Sequence, residues 1–197
     1  FKPAINEDTP SGKNTEKDTT LKTDETKITN EKDSESESVP VSVEKWDDME
    51  LNENILRGIY AYGYEDPSPI QKKAILPMMS GRDLIAQAQS GTGKTATFSI
   101  GALSCIDISA KTTQVICLAP TRELATQITS VFNGLSQFVD KVSIMTLVGG
   151  VSVEQHSREL RSSPPHIVVG TTGRVFDMIR RRNLKTNNVK MLILDEA

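Results

Sequence analysis

One stretch of the sequence, DLIAQAQSGTGKTATFSI at residues 83–100, constrains the fold more than any other. Its apolar residues 84–86 predict a short strand, its residues 90–93 a tight glycine loop, and the residues from Lys94 onward a helix. A loop between a strand and a helix directs backbone N–H groups and the positive helix end at one point. The stretch therefore predicts a polyphosphate site, in which Lys94 reaches the terminal phosphates and the Thr95 hydroxyl holds magnesium.

The match to the general phosphate-loop pattern has one departure. Ala88 stands where the pattern asks for glycine, five residues before Gly93. The alternative is an ordinary glycine turn between a strand and a helix, with Lys94 simply solvated. The strand-loop-helix context favours the phosphate site.

The first forty residues differ in composition from the rest of the chain. Of the 23 basic and 26 acidic residues, six Lys and ten Asp or Glu lie in residues 1–40, which leaves 17 and 16 for the remainder. A segment this polar and acidic cannot bury enough apolar surface to offset its ordering entropy. We expect a disordered acidic tail over 1–40, and any nucleic-acid contact in the nearly neutral remainder must come from local placement of charges.

The length and the cysteine content bound the class of protein. The 197-residue chain lacks an initiating Met and stops just after an apolar run, so we expect a fragment cut at both ends. No apolar run approaches the roughly 18 residues of a membrane span, which favours a soluble intracellular protein. Cys105 and Cys117 are too few for a disulfide framework and are expected to be core thiols.

Two helices are expected before the phosphate loop. Residues 51–62 place apolar side chains at helical spacing with Asn52 as a possible cap, and Gly63 ends this helix. The prolines of GYEDPSPIQ then force an extended turn before a second helix that carries Gln71. Spacing alone favours Gln71 as an exposed helix residue, although its carboxamide could also contact the edge of an adenine.

After the phosphate loop, apolar strands alternate with amphipathic helices. Strands are expected at 114–119, 141–148, 166–169 and 191–194, and helices at 121–135, 153–161 and 172–182. Strands that are apolar on both faces imply a parallel sheet with helices on both faces. The predicted fold class is therefore α/β.

Polar clusters follow these strands at their carboxyl ends, where ligands bind in sheets of this type. The clusters are residues 120–123, 149–150, 171–174 and 195–196. Asp195, about a hundred residues beyond Lys94, is placed where a nucleoside triphosphatase has its magnesium-coordinating aspartate, and Glu196 could activate the attacking water. Without the phosphate loop, two solvated turn residues would be an equally good interpretation.

Two further features favour structural roles. The basic run 180–182 lies at a helix C-terminus, where cations interact favourably with the helix dipole, so a nucleic-acid patch is the weaker interpretation. His156 and His166 have no Cys or His partner at ligand spacing, so neither predicts a metal site.

Taken together, the motifs resemble the DEAD-box RNA helicases. The matching pieces are Trp46, GYEDPSPIQ ending at Gln71, AQSGTGKT at 88–95, PTRELA at 120–125, Gly149 with Gly150, TTGR at 171–174 and DEA at 195–197. They occur in the family's order and cover residues 41–197. Within the family, the sequence is most similar to the translation-initiation subgroup and to its relative in the exon junction complex. The motifs do not distinguish between these two subgroups.

The resemblance implies a RecA-like fold with a helical adenine-recognition segment at 41–75 and an ATP-binding domain at 76–197. It implies ATP and Mg²⁺ as cofactors, with magnesium at Thr95 and Asp195. The implied ATP site consists of Trp46, Gln71, Ala88, Gln89, Ser90, Gly91, Thr92, Gly93, Lys94 and Thr95, with Lys94, Asp195 and Glu196 catalytic. The implied contacts to the RNA backbone are Pro120, Thr121, Arg122, Gly149, Gly150, Thr172, Gly173 and Arg174. Trp46 replaces the family's usual Phe and Thr172 its usual Pro, which removes the fixed φ of that turn.

The family works with two such domains that close over ATP and one RNA strand, so we expect this piece alone to bind nucleotide weakly and to hydrolyse it negligibly. The expected partners are single-stranded RNA without sequence preference and scaffold proteins of translation initiation, for a monomer in the cytoplasm, or in the nucleus if it is the exon-junction relative. An RNA clamp that grips without unwinding, and a non-helicase phosphate-loop enzyme such as a DNA-dependent motor, remain as alternatives.

Overall fold

The computed structural model describes Lys27–Thr29 as backbone and residues 43–196 in full. Apart from residues 27–29, the predicted tail over 1–40 lies outside the described residues, as do residues 41, 42 and 197. In chain order the elements are β1 (Lys27–Thr29), α1 (Glu53–Ala61), α2 (Pro69–Met79), β2 (Ile85–Gln87), α3 (Lys94–Cys105), β3 (Val115–Ala119), α4 (Arg122–Leu135), β4 (Ile144–Leu147), α5 (Val153–Ser162), β5 (Ile167–Thr171), α6 (Thr172–Arg180) and β6 (Met191–Leu194), with a short 3-10 turn at Trp46–Met49.

Four strands form the parallel sheet that the sequence predicts. Their order is β4-β5-β3-β6, and β3 lies in the centre, with Val115 opposite Ile167 on one side and Met191 on the other. Because the strands are parallel, the segments that follow them meet at one edge of the sheet. The prediction of an α/β fold with a parallel sheet is confirmed.

Alternate residues of β3 face two different helical layers. Val115, Cys117 and Ala119 belong to a core that includes Ala96 of α3 and Phe132 of α4. Ile116 belongs to a second core with Leu160 of α5 and Met178 of α6. Burial of each such side chain contributes about 1.5–3 kcal/mol, so a strand buried on both faces must be apolar at consecutive positions.

The strand that precedes the phosphate loop differs from the expectation. Among the described residues, β2 pairs only with β1, in an antiparallel two-stranded sheet that sets Ile28 opposite Ala86. The side chains of β2 are exposed, Ile85 at 62%. Lys27–Thr29 lies inside the segment predicted to be disordered, so three residues of the polar tail are ordered by backbone pairing, which needs no apolar side chain.

The two helices ahead of β2 join the first core. Ile59 of α1 and Ile75 of α2 are fully buried in it, together with Trp46 and Met49 of the 3-10 turn. Asn52 caps α1 as expected, accepting a hydrogen bond from the Asn54 N–H at 2.9 Å. The segment before the phosphate loop is thus packed against α3 and α4 and is held in a fixed position beside the loop.

Candidate nucleotide and nucleic-acid site

The loop between β2 and α3 adopts the conformation that a phosphate site requires. Gly91 and Gly93 have φ of 83° and 90°, a left-handed region that other residues rarely adopt. Gly93 immediately precedes the first residue of α3, and no side chain in the described part of the chain caps that helix. The N–H groups of the first helical turn therefore remain available to an anion.

The Lys94 side chain folds back over this loop. Its Nζ donates to the carbonyl oxygens of Ala88 at 2.6 Å and Gln89 at 2.8 Å. The Thr92 hydroxyl donates to the same Gln89 oxygen at 2.8 Å. These bonds gather the predicted loop residues around one ammonium group, and Ser90 lies exposed at the turn of the loop.

Gln71 is buried against the phosphate loop, so the exposed position favoured by spacing alone is wrong. Only 2% of its surface is exposed, and its Oε1 accepts a hydrogen bond from the Ser68 N–H at 2.7 Å. The Ser68 hydroxyl in turn donates to the Thr92 carbonyl at 2.9 Å. The segment that precedes α2 is therefore bonded directly to the loop.

Ser68 is the residue of this site that the sequence analysis missed. It caps α2 reciprocally with Gln71, three residues later. This S-x-x-Q spacing ahead of an apolar run is a helix-start signature that the sequence does carry.

Trp46, which the family resemblance implied for the ATP site, lies inside the core. Its side chain is fully buried, and its indole Nε1 has no hydrogen-bond partner among the described residues. A ring with no exposed surface cannot stack on a base in this conformation. The reason is that the 3-10 turn directs both Trp46 and Met49 into the first core, so Trp46 supports the site from within the core.

The acid pair lies next to the phosphate loop. The Asp195 N–H donates to the carbonyl of Leu118 at 3.0 Å, which fixes Asp195 at the carboxyl end of β3. Burial and the Glu196 carboxylate raise the pKa of Asp195, while the Glu196 N–H and the Lys94 ammonium act in the opposite direction. The Lys94 ammonium thus acts on Asp195 electrostatically, and Glu196 is exposed beside Asp195.

These residues fit a nucleotide with a divalent cation. The glycine loop provides the anion cradle, and the half-buried Asp195 is a hard oxygen ligand for Mg²⁺. Among the described residues no three His, Cys, Asp or Glu side chains are grouped to hold a metal by themselves. A cation here would need phosphate oxygens and Thr95 to complete its ligands, which is typical of Mg²⁺ bound together with a nucleotide.

The loops after β3 and β4 are joined by an arginine. The guanidinium of Arg122 lies over Gly149 and Gly150, where a β-carbon would come within 3.0 Å and 2.9 Å of its nitrogens. Thr121 caps α4, accepting from the Leu124 N–H at 3.2 Å. The absence of side chains at both glycines allows this close approach, and Arg122 remains exposed.

A second arginine joins the loops after β4 and β5. Nη1 of Arg174 donates to the Val151 carbonyl at 2.8 Å and lies 2.6 Å from Nδ1 of His156. Thr172 and Gly173 are exposed in the first turn of α6, and Pro120 is exposed after β3. The predicted RNA-contact residues therefore lie in the loops and first helical turns that follow β3, β4 and β5, along one edge of the sheet.

Several other residues discussed in the sequence analysis have structural roles. Arg180 and Arg181 form ion pairs with Asp177 at 3.3 Å and 2.8 Å near the end of α6. His166 accepts a hydrogen bond from the Ser143 N–H at 3.0 Å and is buried. Burial and the Asp195 carboxylate raise the pKa of Cys117 to about 12, so this thiol stays protonated. No helix in residues 43–196 is long and apolar enough to cross a bilayer.

A parallel sheet, a glycine loop closed by Lys94 and an acid at the end of a strand of that sheet define a phosphate-loop nucleotide-binding domain. The family model of the DEAD/DEAH box helicases matches residues 68–197. The chain belongs to that family.

Curated relatives carry names from two groups of this family. The chain is 56% identical over 156 residues to the ATP-dependent RNA helicase fal1 of Schizosaccharomyces pombe, covering 79% of this chain and 39% of the relative. It is 54% identical over 155 residues to the ATP-dependent RNA helicase eIF4A of Saccharomyces cerevisiae (strain YJM789), covering 79% of this chain and 38% of the relative. The chain thus spans about two fifths of the length of these relatives.

Solved structures of the family share the fold. A structure of S. cerevisiae Dbp5 bound to RNA and ADP BeF3 matches with a TM-score of 0.69 and 35% identity, over 77% of this chain and 38% of that one. A DEAD box protein from Methanococcus jannaschii matches with a TM-score of 0.68 and 32% identity, over 77% of this chain and 41% of that one. The fold class inferred from the sequence is confirmed.

Proposed function

We propose that this chain is the nucleotide-binding part of an ATP-dependent RNA helicase that binds ATP with Mg²⁺ and grips the backbone of a single RNA strand. The observation that carries the proposal is the bonded path from Gln71 through Ser68 to Thr92. This path joins a carboxamide able to contact adenine to the loop able to hold phosphates.

At the nucleotide site, the residues of the chain divide the work. The backbone N–H groups of residues 88–93 and the N-terminus of α3 bind the phosphate oxygens, and Lys94 exchanges its carbonyl partners for the terminal phosphates. Thr95 and Asp195 would hold the magnesium ion, which supplies charge neutralisation on the phosphates. Glu196, exposed beside Asp195, is placed to orient or deprotonate a water molecule.

At the RNA site, contacts to the sugar-phosphate backbone explain how a nearly neutral domain binds a polyanion. Arg122 and the exposed N-terminus of α6, with Thr172 and Gly173, are available to phosphate oxygens. Contacts to phosphate oxygens carry no base information, so binding without sequence preference follows. RNA bound to the related Dbp5 supports this assignment.

The cellular role proposed is translation initiation in the cytoplasm, supported by the similarity to eIF4A. The chain would act as a monomer that docks on scaffold proteins. An RNA clamp of the exon-junction type, in the nucleus, is the second candidate. Two measurements distinguish the helicase from the clamp: the rate of duplex separation and the lifetime of the complex on single-stranded RNA. A helicase separates duplexes quickly, whereas a clamp stays bound to one strand.

The experiment for the proposed function is titration with ATP and GTP by calorimetry. The wild-type chain should bind ATP at least about tenfold more tightly than GTP, which corresponds to about 1.4 kcal/mol. Gln71→Glu keeps the acceptor for the Ser68 N–H but removes the amide donor, so it should keep the fold and lose the preference. Equal binding of ATP and GTP by the wild type would contradict the proposal and favour a non-helicase enzyme.

Lys94→Ala provides the control for the phosphate contact, because it should weaken the binding of both ATP and GTP and leave the preference for ATP unchanged. Hydrolysis by this chain should be negligible in either case, since arginines that stabilise a transferred phosphoryl group contribute roughly 10³ to 10⁵ in rate and in this family lie on a second domain. RNA-stimulated turnover near the rate of an intact helicase would show that this expectation is wrong.

A further inference from the structure

His156 holds an arginine of the RNA site, although its place on α5 is outside every motif of the sequence analysis. Its side chain is only 3% exposed, and its Nδ1 lies 2.6 Å from Nη1 of Arg174. The same Nη1 donates to the carbonyl of Val151, the residue that follows Gly149 and Gly150. Arg174 is therefore fixed by two acceptors, one from the glycine loop after β4 and one from α5.

The chemistry of this contact determines the protonation state of the imidazole. A guanidinium has five N–H donors and no acceptor, and it is always protonated in proteins. Nδ1 of His156 must therefore be the acceptor, so the ring is neutral and carries its proton on Nε2. Protonation of Nδ1 would remove the acceptor and place two cations in contact.

The surroundings of His156 favour the neutral ring. Burial and the Arg174 guanidinium lower the pKa of His156, and Glu159 on the same helix acts in the opposite direction. Arg174 lies on α6 and Glu159 on α5, so charged groups of opposite sign act on the ring from two helices. Glu159 also accepts a hydrogen bond from the Gln155 side chain at 2.9 Å, which keeps it on the solvent side of α5.

We propose that neutral His156 is a positioning residue that fixes Arg174 against the Gly149–Val151 loop for contact with RNA phosphates, so that acidification releases Arg174 and weakens RNA binding. The inference rests on the proposed RNA site. The predicted pH dependence has a distinctive direction, because protonation adds a positive charge and added positive charge ordinarily strengthens binding to a polyanion. A purely structural histidine would follow that ordinary trend.

The test measures the affinity of the 197-residue chain for a fluorescent single-stranded RNA by anisotropy from pH 5 to pH 8 at fixed salt. The wild type should bind roughly tenfold more weakly at pH 5 than at pH 7.5, the size expected for losing one charge-assisted contact. His156→Gln provides a neutral acceptor that does not titrate, so its affinity should stay flat or rise slightly as pH falls. His156→Asn serves as the second variant if the first does not fold.

His166→Gln is the matched control. His166 is the other buried histidine, and its Nδ1 also accepts a hydrogen bond, from the Ser143 N–H, which lies just before β4 and away from the RNA edge. This variant should keep the wild-type pH profile. If His156→Gln keeps it too, the positioning role is overturned while the RNA site stands.

Nitrogen NMR of the imidazoles gives a readout that does not depend on RNA. The Nδ1 resonance of His156 should have the shift of an unprotonated acceptor at pH 7.5, and its titration should move the side-chain resonances of Arg174. A protonated Nδ1 at pH 7.5 overturns the inference. Absence of RNA binding by the wild type at every pH overturns the proposed function and, with it, the RNA part of this inference.

Discussion

The amide nitrogen of Gln71 lies 2.8 Å from the position that a β-carbon on Gly93 would occupy. Gly93 thus serves two purposes, since it supplies the left-handed turn before α3 and leaves room for the residue that joins α2 to the phosphate loop. A methyl group at this position would force the buried Gln71 side chain away from the loop.

Gly93→Ala should therefore lose nucleotide affinity beyond what backbone strain alone causes. We expect ATP binding to fall at least about tenfold, as measured by calorimetry, because both the loop and Gln71 must shift. Gly81→Ala is the control, since Gly81 also has a positive φ, of 73°, but no atom of the described residues lies within 4 Å of its β-carbon position. Both variants should lose about 1–2 kcal/mol of stability, and only Gly93→Ala should lose affinity for ATP. Equal ATP affinity in the two would contradict the role given to Gln71.

Gly58→Ala should destabilise the fold because α1 and α4 are in backbone contact there. A β-carbon on Gly58 would overlap the carbonyl oxygen of Leu135, which cannot rotate away. We expect a loss of about 1–3 kcal/mol in the free energy of unfolding by urea, in spite of the better helix propensity of alanine. Gly101→Ala should cost much less, since its neighbour at 2.8 Å is the terminal methyl group of the flexible Met78. A larger loss for Gly101→Ala than for Gly58→Ala would argue against this packing.

Asp195→Asn should stabilise the chain at neutral pH and not at acidic pH. An acid whose pKa is raised by folding holds its proton more tightly in the native state, so its contribution to stability falls as pH rises from its ordinary value through the raised one. At pH 7 the charged Asp195 costs stability that asparagine avoids. The gain in the free energy of unfolding should be less than about 1 kcal/mol, because the carboxylate is still screened by solvent. This gain corresponds to a rise of less than about 4 °C in Tm.

Thermal unfolding of the two proteins at pH 7 and pH 3.5 checks this expectation. The difference in Tm should shrink towards zero at the lower pH, where the native and unfolded states are both protonated. A constant difference would mean that the substitution acts through packing.

Trp46→Phe should cost far less than Trp46→Ala. Within residues 43–196 the buried Nε1–H has no acceptor, so phenylalanine removes an unsatisfied donor together with part of the ring, and the two effects oppose each other. We expect a change within about 1 kcal/mol for phenylalanine and a loss of about 3–5 kcal/mol for alanine, measured by urea unfolding. A similar loss in both would indicate that Nε1 has a partner in solution.

Sequence periodicity predicted β3, α4 and β6 nearly to the residue, because consecutive apolar residues in β3 must face two helical layers. It could not predict the pairing of β1 with β2, since backbone hydrogen bonds between three-residue strands leave no hydrophobic pattern. The glycine pattern located the phosphate loop, whereas Gln71, which spacing alone placed on the surface, was assigned to the site only by the family resemblance.

The positions of two residues, Trp46 and His156, depend on tertiary packing that no sequence motif indicates. Trp46 is conspicuous as an isolated aromatic residue, but its direction is set by the 3-10 turn, which is too short to show a period. His156 lacks any ligand-like spacing, because its partner Arg174 comes from another helix and meets it only after α5 and α6 pack on the same face of the sheet.

The two carbonyl oxygens that hold the Lys94 ammonium have a kinetic consequence. An incoming phosphate must compete for a cation that is already solvated by the main chain, so nucleotide capture is an exchange of ligands on a single nitrogen. The rates of capture and release should therefore depend on how readily these two carbonyl groups give up the lysine and take it back.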